Sequence, residues 1–507
     1  MDNIEDKLDV AVKTRLGNVQ IKNTVGISVD DGLKITKVLT ASAKPRIENV
    51  TVNDLEVKFD GFVDYDFLVV LDDNQIKPIS QKSSFSQTFE SADIIQNTCI
   101  YINSEVVDLE NNTRKDIVYS ATIDFTIYAT NLNKDVSLPV VPEGIFVKDG
   151  EVSYTSIVDC VVYDGRVDFE LAKDSKVHKI LFATSSASLK NLIASNNYFI
   201  ASGEVFSTIV YENEDGVIKC LSKENSFSEE IEAQGVVKES TIQAQILTKE
   251  TTIIENVEKS VFSFDVPVQI CAQVFKPQTK QCVIDAYSVK NEVNLTTTSF
   301  TQGKFLSTKE AQENIVTNFI LEEKNQSIDK ILAVVPNNIA IVNQVVKDQK
   351  FLIEGIATIN IIYYYQDDNG SDNLNSIDVE APYSLEINVD GLSAADNIIS
   401  QIVISDVNVK NKLGKELEIL LSVRLNYSII KEKICAVVSN IEIGEDKPQK
   451  DYALEIYVAH ENQTMWDIAK KLNVSSADLI RQNGDLVIPL KDGDKIVSYT
   501  QRIVDCD

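Results

Sequence analysis

Across 507 residues, 77 acidic against 48 basic side chains give a net charge of −29, which excludes nucleic acid and anionic membrane as partners because both require a basic footprint. The chain is 44% hydrophobic and 25% charged, ordinary for globular protein, and at about 100–200 residues per domain it predicts three to five domains. Two histidines, His178 and His460, leave little for a metal site or a Ser/His/Asp site, and no phosphate loop or nucleophile elbow is written in the chain, so no enzyme, metal or cofactor is expected.

The start, MDNIEDKLDV, is acidic and lacks an apolar h-region, so no secretory signal is expected. No stretch approaches the 18 apolar residues of a transmembrane helix. The seven cysteines are odd in number, widely spaced and without CxxC, which fits unpaired thiols in a reducing cytosol.

Residues 1–25 stand apart as an N-terminal segment, and beyond them the same landmarks recur three times. Each copy opens with a Lys-apolar-Leu triplet: Lys37-Val38-Leu39, Lys179-Ile180-Leu181 and Lys330-Ile331-Leu332. From each leucine it is 22, 22 and 23 residues to a glycine, Gly61, Gly203 or Gly355, inside an alternating run. In the first run Phe59, Val63, Tyr65, Phe67, Val69 and Leu71 share one face while Asp60, Asp64 and Asp66 take the other, the period of a half-buried strand. Phe351, Ile353, Ala357, Ile359, Ile361 and Tyr363 repeat the pattern in the third copy.

A turn signal comes after each run, Asp72-Asp73-Asn74, Asp215-Gly216 and Asn369-Gly370, and predicts a hairpin in each copy, with the Asp-Gly and Asn-Gly pairs suited to type I′. The acidic run at 367–378 around Gly370 lacks the carboxylates that anchor a calcium loop, and reads as a solvated hairpin tip. Next come SFSQTFE at 84–90, SFSEEIE at 226–232 and the looser Tyr383-Ser384-Leu385-Glu386-Ile387, each predicting a packed aromatic at a strand start. Strand glycines of this kind mark a bulge or a close backbone approach. Each copy closes with another alternating strand, through Phe125, Phe264 and Leu421 respectively. Pro267 cannot donate to a ladder, which predicts an edge or bulged position. A period of roughly 140–150 residues is too long for a solenoid unit, so the copies are read as three tandem domains, each a β-sandwich or open barrel, at 26–140, 141–290 and 291–443.

The triplet, the strand glycine, the tyrosine-rich strand and Ala381-Pro382-Tyr383-Ser384 together resemble the SPOCS domain, a family of spore-coat-associated proteins in clostridia and related spore formers. The third copy matches best, since the first two lack the proline before the aromatic.

A polar linker at 444–452 leads to a final unit at 453–502. LEIYVA (454–459) and DKIVSY (494–499) alternate as strands. Between them, Thr464 with Asp467 makes a capping-box-like start, and Met465, Ile468, Ala469 and Leu472 form one helical stripe. Ser475 with Asp478 repeats the start for a second helix carrying Leu479 and Ile480. This small α+β (βααβ) unit resembles a LysM domain, on Thr464 to Lys471, Ala477 to Asn483 and Asp492 to Ile496.

That resemblance implies a groove for N-acetylglucosamine-containing glycans between the first strand–helix loop and the second helix–strand loop. The Gly-Asp usual before the threonine is here Asn462-Gln463, which removes glycine's backbone freedom where a sugar would approach. The surface residues singled out for a partner are Asn462, Gln463, Thr464, Trp466, Lys470, Asn483, Asp485 and Leu486. Trp466, the only tryptophan, is either a core-edge residue sealing a small unit or an anchor at a partner surface. SPOCS-like units ahead of a LysM unit in an acidic chain resemble clostridial spore morphogenetic proteins of that build. The resemblance implies a non-enzymatic adaptor in the mother-cell cytosol at the forespore surface. It also implies that the LysM unit binds the coat-basement ATPase SpoIVA and that other coat proteins are partners. The alternative is a peptidoglycan-binding LysM protein.

Overall fold

The computed structural model describes residues 7–29, 33–95, 98–112, 116–173, 175–322, 327–367, 370–394, 396–412, 415–448, 454–484 and 488–499. Strand accounts for 76% of the chain and helix for 3%, in agreement with a mainly β fold. The N-terminal part holds β1 (Lys7–Ile27), β2 (Ile35–Asn53), β3 (Glu56–Leu71), β4 (Ile76–Glu90), β5 (Cys99–Asn111) and β6 (Ile117–Ser137). The next holds β7 (Ile145–Ala172), β8 (Val177–Ala194), β9 (Tyr198–Asn213), β10 (Ile218–Glu232), β11 (Thr241–Thr248), β12 (Thr252–Asn256) and β13 (Val261–Ser288). The third holds β14 (Asn291–Phe305), β15 (Lys309–Ile320), β16 (Lys330–Lys347), β17 (Lys350–Gln366), β18 (Asp372–Asn388), β19 (Asn397–Asn411) and β20 (Glu416–Asp446). The chain then runs through β21 (Leu454–Val458), α1 (Met465–Leu472), α2 (Ser476–Gln482) and β22 (Lys495–Tyr499).

Each of the first three sets makes two antiparallel sheets. One is a meander, β2-β3-β4, β8-β9-β10 or β16-β17-β18. The other brings the first and last strands of the set together: β1-β6-β5, then β13 between β7 and the β11/β12 pair, then β20 between β14/β15 and β19. The two sheets of a set share one core, which makes each set a sandwich. Alternation explains the core directly. Phe59, Val63, Tyr65, Phe67, Val69 and Leu71 of β3 are at most 1% exposed, and they face the fully buried Ile123, Phe125 and Ile127 of β6. Each such side chain taken out of water stabilises the fold by about 1.5–3 kcal/mol.

The strand glycines have a common cause. Gly61, Gly203 and Gly355 lie opposite Ile47, Leu189 and Ile341, and in all three copies a register shift comes at once on the outer strand. The carbonyl just before that residue presses on the glycine: a Cβ there would stand 1.9 Å from the Arg46 oxygen, 2.2 Å from Ser188 and 2.0 Å from Ala340. On the other side the glycine pairs with Phe85, Phe227 or Tyr383. These aromatics cover the gap a glycine leaves in a strand, and the Tyr383 hydroxyl donates to the Ala340 carbonyl at 3.0 Å.

Several expectations are corrected. The Asp215-Gly216 turn is not type I′, because only Gly216 of the pair has positive φ (76°); in the other two turns Asn74 (65°) and Gly370 (77°) have positive φ. Leu71, Asn213 and Asp367 each donate to the residue four on and accept from the residue three on, the pattern of a three-residue loop with a left-handed bulge residue. Asn369 lies outside the described residues. Pro267 is not at an edge. It sits in β13 opposite Arg166 of β7, and its carbonyl accepts from Lys249 at 2.9 Å where β11 has ended and β12 has not begun. Its missing N–H falls in that gap, where no strand requires it. Residues 7–25 are no separate segment but part of β1, paired with β6; shifts at Val10/Val12 and Arg15/Gly17 break the alternation that would have revealed the strand. Residues 444–446 likewise continue β20 rather than a linker. Cys99 on β5 and Cys160 on β7 are disulfide-bonded, with Cα atoms 6.9 Å apart, against the expectation of unpaired thiols. The two cysteines are 61 residues apart in the chain, and only the contact between the first and second sandwiches brings them together.

The sandwiches meet through the repeat landmarks themselves. Leu39, Leu181 and Leu332, the triplet leucines, join Leu68, Val210 and Ile362 in a single buried cluster. Lys37 donates to the Asn375 side chain of the third sandwich, and Lys179 to the Ile76 carbonyl of the first at 3.0 Å. A second convergence involves the ribbon ends of β1/β6, β7/β13 and β14/β20, where Leu8, Val136, Cys282, Phe300 and Val437 pack together. Between the second and third sandwiches Arg424, 8% exposed, meets Glu204 at 3.1 Å, Glu310 at 3.5 Å and Glu224 at 3.6 Å.

Candidate functional site

The C-terminal unit forms because its local signals agree. Thr464 caps α1, its hydroxyl accepting from the Asp467 amide while the Asp467 carboxylate accepts from the Thr464 amide at 2.8 Å. Burial pushes the Asp467 carboxyl up, but these Thr464 donors outweigh it and hold the group below its ordinary value. Met465, Ile468, Ala469 and Leu472 are buried as one stripe. Ser475 caps α2, whose Leu479 is buried and whose Ile480 is 48% exposed. β21 and β22 pair antiparallel and complete a βααβ unit.

This unit is seated on the end of the second sandwich. Its core cluster includes Tyr287 of β13, with Phe146 of β7 packed alongside. Tyr287 meets Trp466 edge-to-face with centroids 4.9 Å apart and stacks on Phe146 at 5.4 Å. Its hydroxyl donates to the Val474 carbonyl at 2.8 Å and accepts from the Ser476 amide at 3.1 Å, which ties it between the two helices. Asp285, two residues earlier, accepts from the Trp466 indole at 2.7 Å and from Lys470 at 2.6 Å. Burial pushes the Asp285 carboxyl up, but Lys470 and the indole N–H outweigh it and hold the group below its ordinary value. Lys447 adds a further tie, donating to the Ser288 carbonyl at 2.9 Å and the Asn473 side chain at 2.6 Å.

The residues singled out from the sequence therefore separate into groups. Trp466 and Lys470 face the second sandwich through Asp285. Asn462, Gln463 and Thr464 share the exposed β21–α1 loop, where Asn462 adopts φ 67°. Asparagine tolerates the left-handed region, so this loop keeps the conformation a glycine would give it. Gln463 turns inward, accepting from the His460 amide at 3.0 Å and bonding the Tyr457 hydroxyl. Asn483 clamps β22, donating to the Val497 carbonyl at 2.7 Å and accepting from the Val497 amide at 2.8 Å. Asp485 and Leu486 lie outside the described residues. Asp285 and Tyr287 were missed from the sequence because they end a β strand and carry no motif.

A cavity of about 610 Å³ opens between the first and second sandwiches. Three of its cations are ion-paired, Arg46 with Glu48 at 3.0 Å, Lys82 with Glu250 at 3.2 Å and Lys249 with Asp164 at 2.6 Å, while Lys44 donates to the Thr184 hydroxyl at 3.1 Å and the Ser185 carbonyl at 3.0 Å and Asp66 accepts from Ser80 at 2.6 Å. Among the described residues no cluster of His, Cys, Asp and Glu is placed to hold a metal ion, and no helix is long and apolar enough to cross a membrane.

No curated protein and no solved structure gives a match to the chain. Residues 327–412, which contain β16, β17, β18 and β19 of the third sandwich, match the family model described as SipL, SPOCS domain, so this part of the chain is similar to a SPOCS domain.

Proposed function

We propose that this chain is a non-enzymatic spore coat morphogenetic adaptor. In this reading its C-terminal unit is a LysM module that docks the SpoIVA-type coat-basement ATPase, and the sandwiches form a rigid mount that promotes coat assembly and encasement at the forespore surface, in the mother-cell cytosol. The observation that carries the reading is the SipL SPOCS match over residues 327–412. Two features support extending it. The first and second sandwiches repeat the third's bulge, glycine and covering aromatic. The C-terminal unit has the strand–helix–helix–strand order of a LysM fold.

With Trp466 and Lys470 turned to Asp285, and Gln463 and Asn483 bonded within the unit, the described surface left for a protein partner centres on Asn462 and Thr464; Asp485 and Leu486 stay in the proposal as sequence candidates. Fixing the module on the second sandwich holds that surface in one orientation, which lowers the ordering cost of association. Co-purification of SpoIVA with the whole chain and with residues 1–450 tests the proposal. Recovery by the whole chain alone is expected, and equal recovery by residues 1–450 refutes docking through the module.

The second reading, peptidoglycan binding, keeps one observation in its favour: Asn462 preserves the left-handed backbone of the glycan-binding loop. Sedimentation of the whole chain with purified peptidoglycan, lost on Asn462→Pro but kept on Asn462→Gly, would favour it.

A further inference from the structure

β21 and β22 form a two-stranded sheet with Leu454, Ile456 and Val458 opposite Tyr499, Val497 and Lys495. The outer edge of β22 is closed. Val497 exchanges both backbone bonds with the Asn483 amide, while Tyr499 donates to Gln482 at 3.0 Å and accepts from it at 2.9 Å. Val497 and Tyr499 therefore turn their backbone groups away from β21. In an antiparallel ladder the residues facing them do the same, so the N–H and C=O groups of Leu454 and Ile456, and of Val458 in the same alternation, point to the outer edge of β21. Among the described residues no strand pairs with that edge.

The side chains of these same residues are exposed: Leu454 58%, Ile456 58% and Val458 46%, with Tyr499 at 52% beside them. Proteins blunt a free edge with lysine, proline, a bulge or a covering loop. β21 carries no lysine or proline and no register shift. An apolar strand that presents both its backbone and its side chains is built for strand addition.

The strand's own sequence selects the occupant. Laid antiparallel on itself about Ile456, Leu-Glu-Ile-Tyr-Val opposes Leu454 with Val458 and Ile456 with Ile456, and Glu455 falls opposite Tyr457 rather than another acid. Apolar cross-strand pairs stabilise such a ladder and like charges are avoided. We propose that β21 is a self-pairing edge, at which two copies join their sheets into one four-stranded sheet across a twofold axis.

Light scattering on the whole chain after size exclusion tests this. A dimer of about 113 kDa, twice 56.4 kDa, is expected, falling to monomer on Ile456→Lys with circular dichroism and Trp466 emission unchanged. Register is tested separately: oxidation should cross-link Ile456→Cys between copies, because hydrogen-bonded antiparallel partners lie about 5.5 Å apart at Cα, within disulfide reach. Glu455→Cys, whose mate is Tyr457, should not cross-link. A monomeric wild-type chain, a dimer that survives Ile456→Lys, or cross-linking at both positions equally would each overturn the proposal.

Discussion

Replacing Asp285 with alanine isolates the seating of the C-terminal unit, and the chain supplies its own probe, since Trp466 is the only tryptophan. The substitution removes the acceptor for the indole N–H at 2.7 Å and for Lys470 at 2.6 Å. A hydrogen bond to a charged group contributes about 1.5–3 kcal/mol. The ion pair adds only about 0.2–1 kcal/mol, because the Lys470 side chain is 43% exposed. Together these predict a loss of about 2–4 kcal/mol, or about 30- to 700-fold in the seating equilibrium. Asp285→Ala with Tyr287→Ala should release the unit, shifting Trp466 emission to the red and raising its quenching by acrylamide, while far-UV dichroism still reports strand.

The same contact predicts a pH dependence. The Asp285 carboxyl is held below its ordinary value, so its contribution is present above about 3.9, the unperturbed aspartate value, and is lost as pH falls through the lower native one. Trp466 emission should stay constant from neutral pH to about 4 and shift red below it, and Asp285→Asn should abolish that acid transition. Unchanged emission and quenching in the Asp285→Ala, Tyr287→Ala double variant would refute the reasoning.

The fold carries three further expected outcomes. Gly355→Ala puts a Cβ 2.0 Å from the Ala340 oxygen and 2.3 Å from the Tyr383 hydroxyl, and backbone cannot yield as a side-chain tip can. Urea unfolding should show a loss at or above the top of the usual overpacking range of about 1–3 kcal/mol, whereas Gly26→Ala, with nothing within 4 Å, should be close to neutral. Arg424→Leu leaves Glu310 without its cation between the second and third sandwiches, while Glu204 keeps Lys190 at 2.9 Å, and should destabilise by about 3 kcal/mol, the low end for a broken buried pair, measured by thermal melting. Burial lowers the pKa of Lys13 to about 7, with the neutral side chains of Gln243 and Gln273 as its acceptors. The unfolded chain therefore binds more protons, so stability should rise with pH from about 7 toward the unfolded lysine value near 10.5. Lys13→Met should flatten that slope.

How far the sequence could be read depends on strand regularity. β3 and β17 keep strict period two, so Phe59 to Leu71 and Phe351 to Tyr363 announce their faces. β2, β8 and β16 each contain three register shifts, and every shift flips the parity of the residues beyond it, which hides those strands from any periodic reading. β1 is concealed in the same way. The triplets were visible as a repeat, but their use was not: that Leu39, Leu181 and Leu332 meet is a property of how the units assemble. In the C-terminal unit the caps and stripe were legible because they act within one turn of helix. The bond from Trp466 to Asp285 spans 181 residues, and nothing local to either residue signals it.

The most direct test of the adaptor account is a calorimetric titration of purified SpoIVA-type ATPase with the whole chain and with the chain ending at Lys450. Saturable binding by the whole chain and none by the shortened one is the predicted result. Equal Kd values for the two would contradict it and transfer the docking role to the sandwiches.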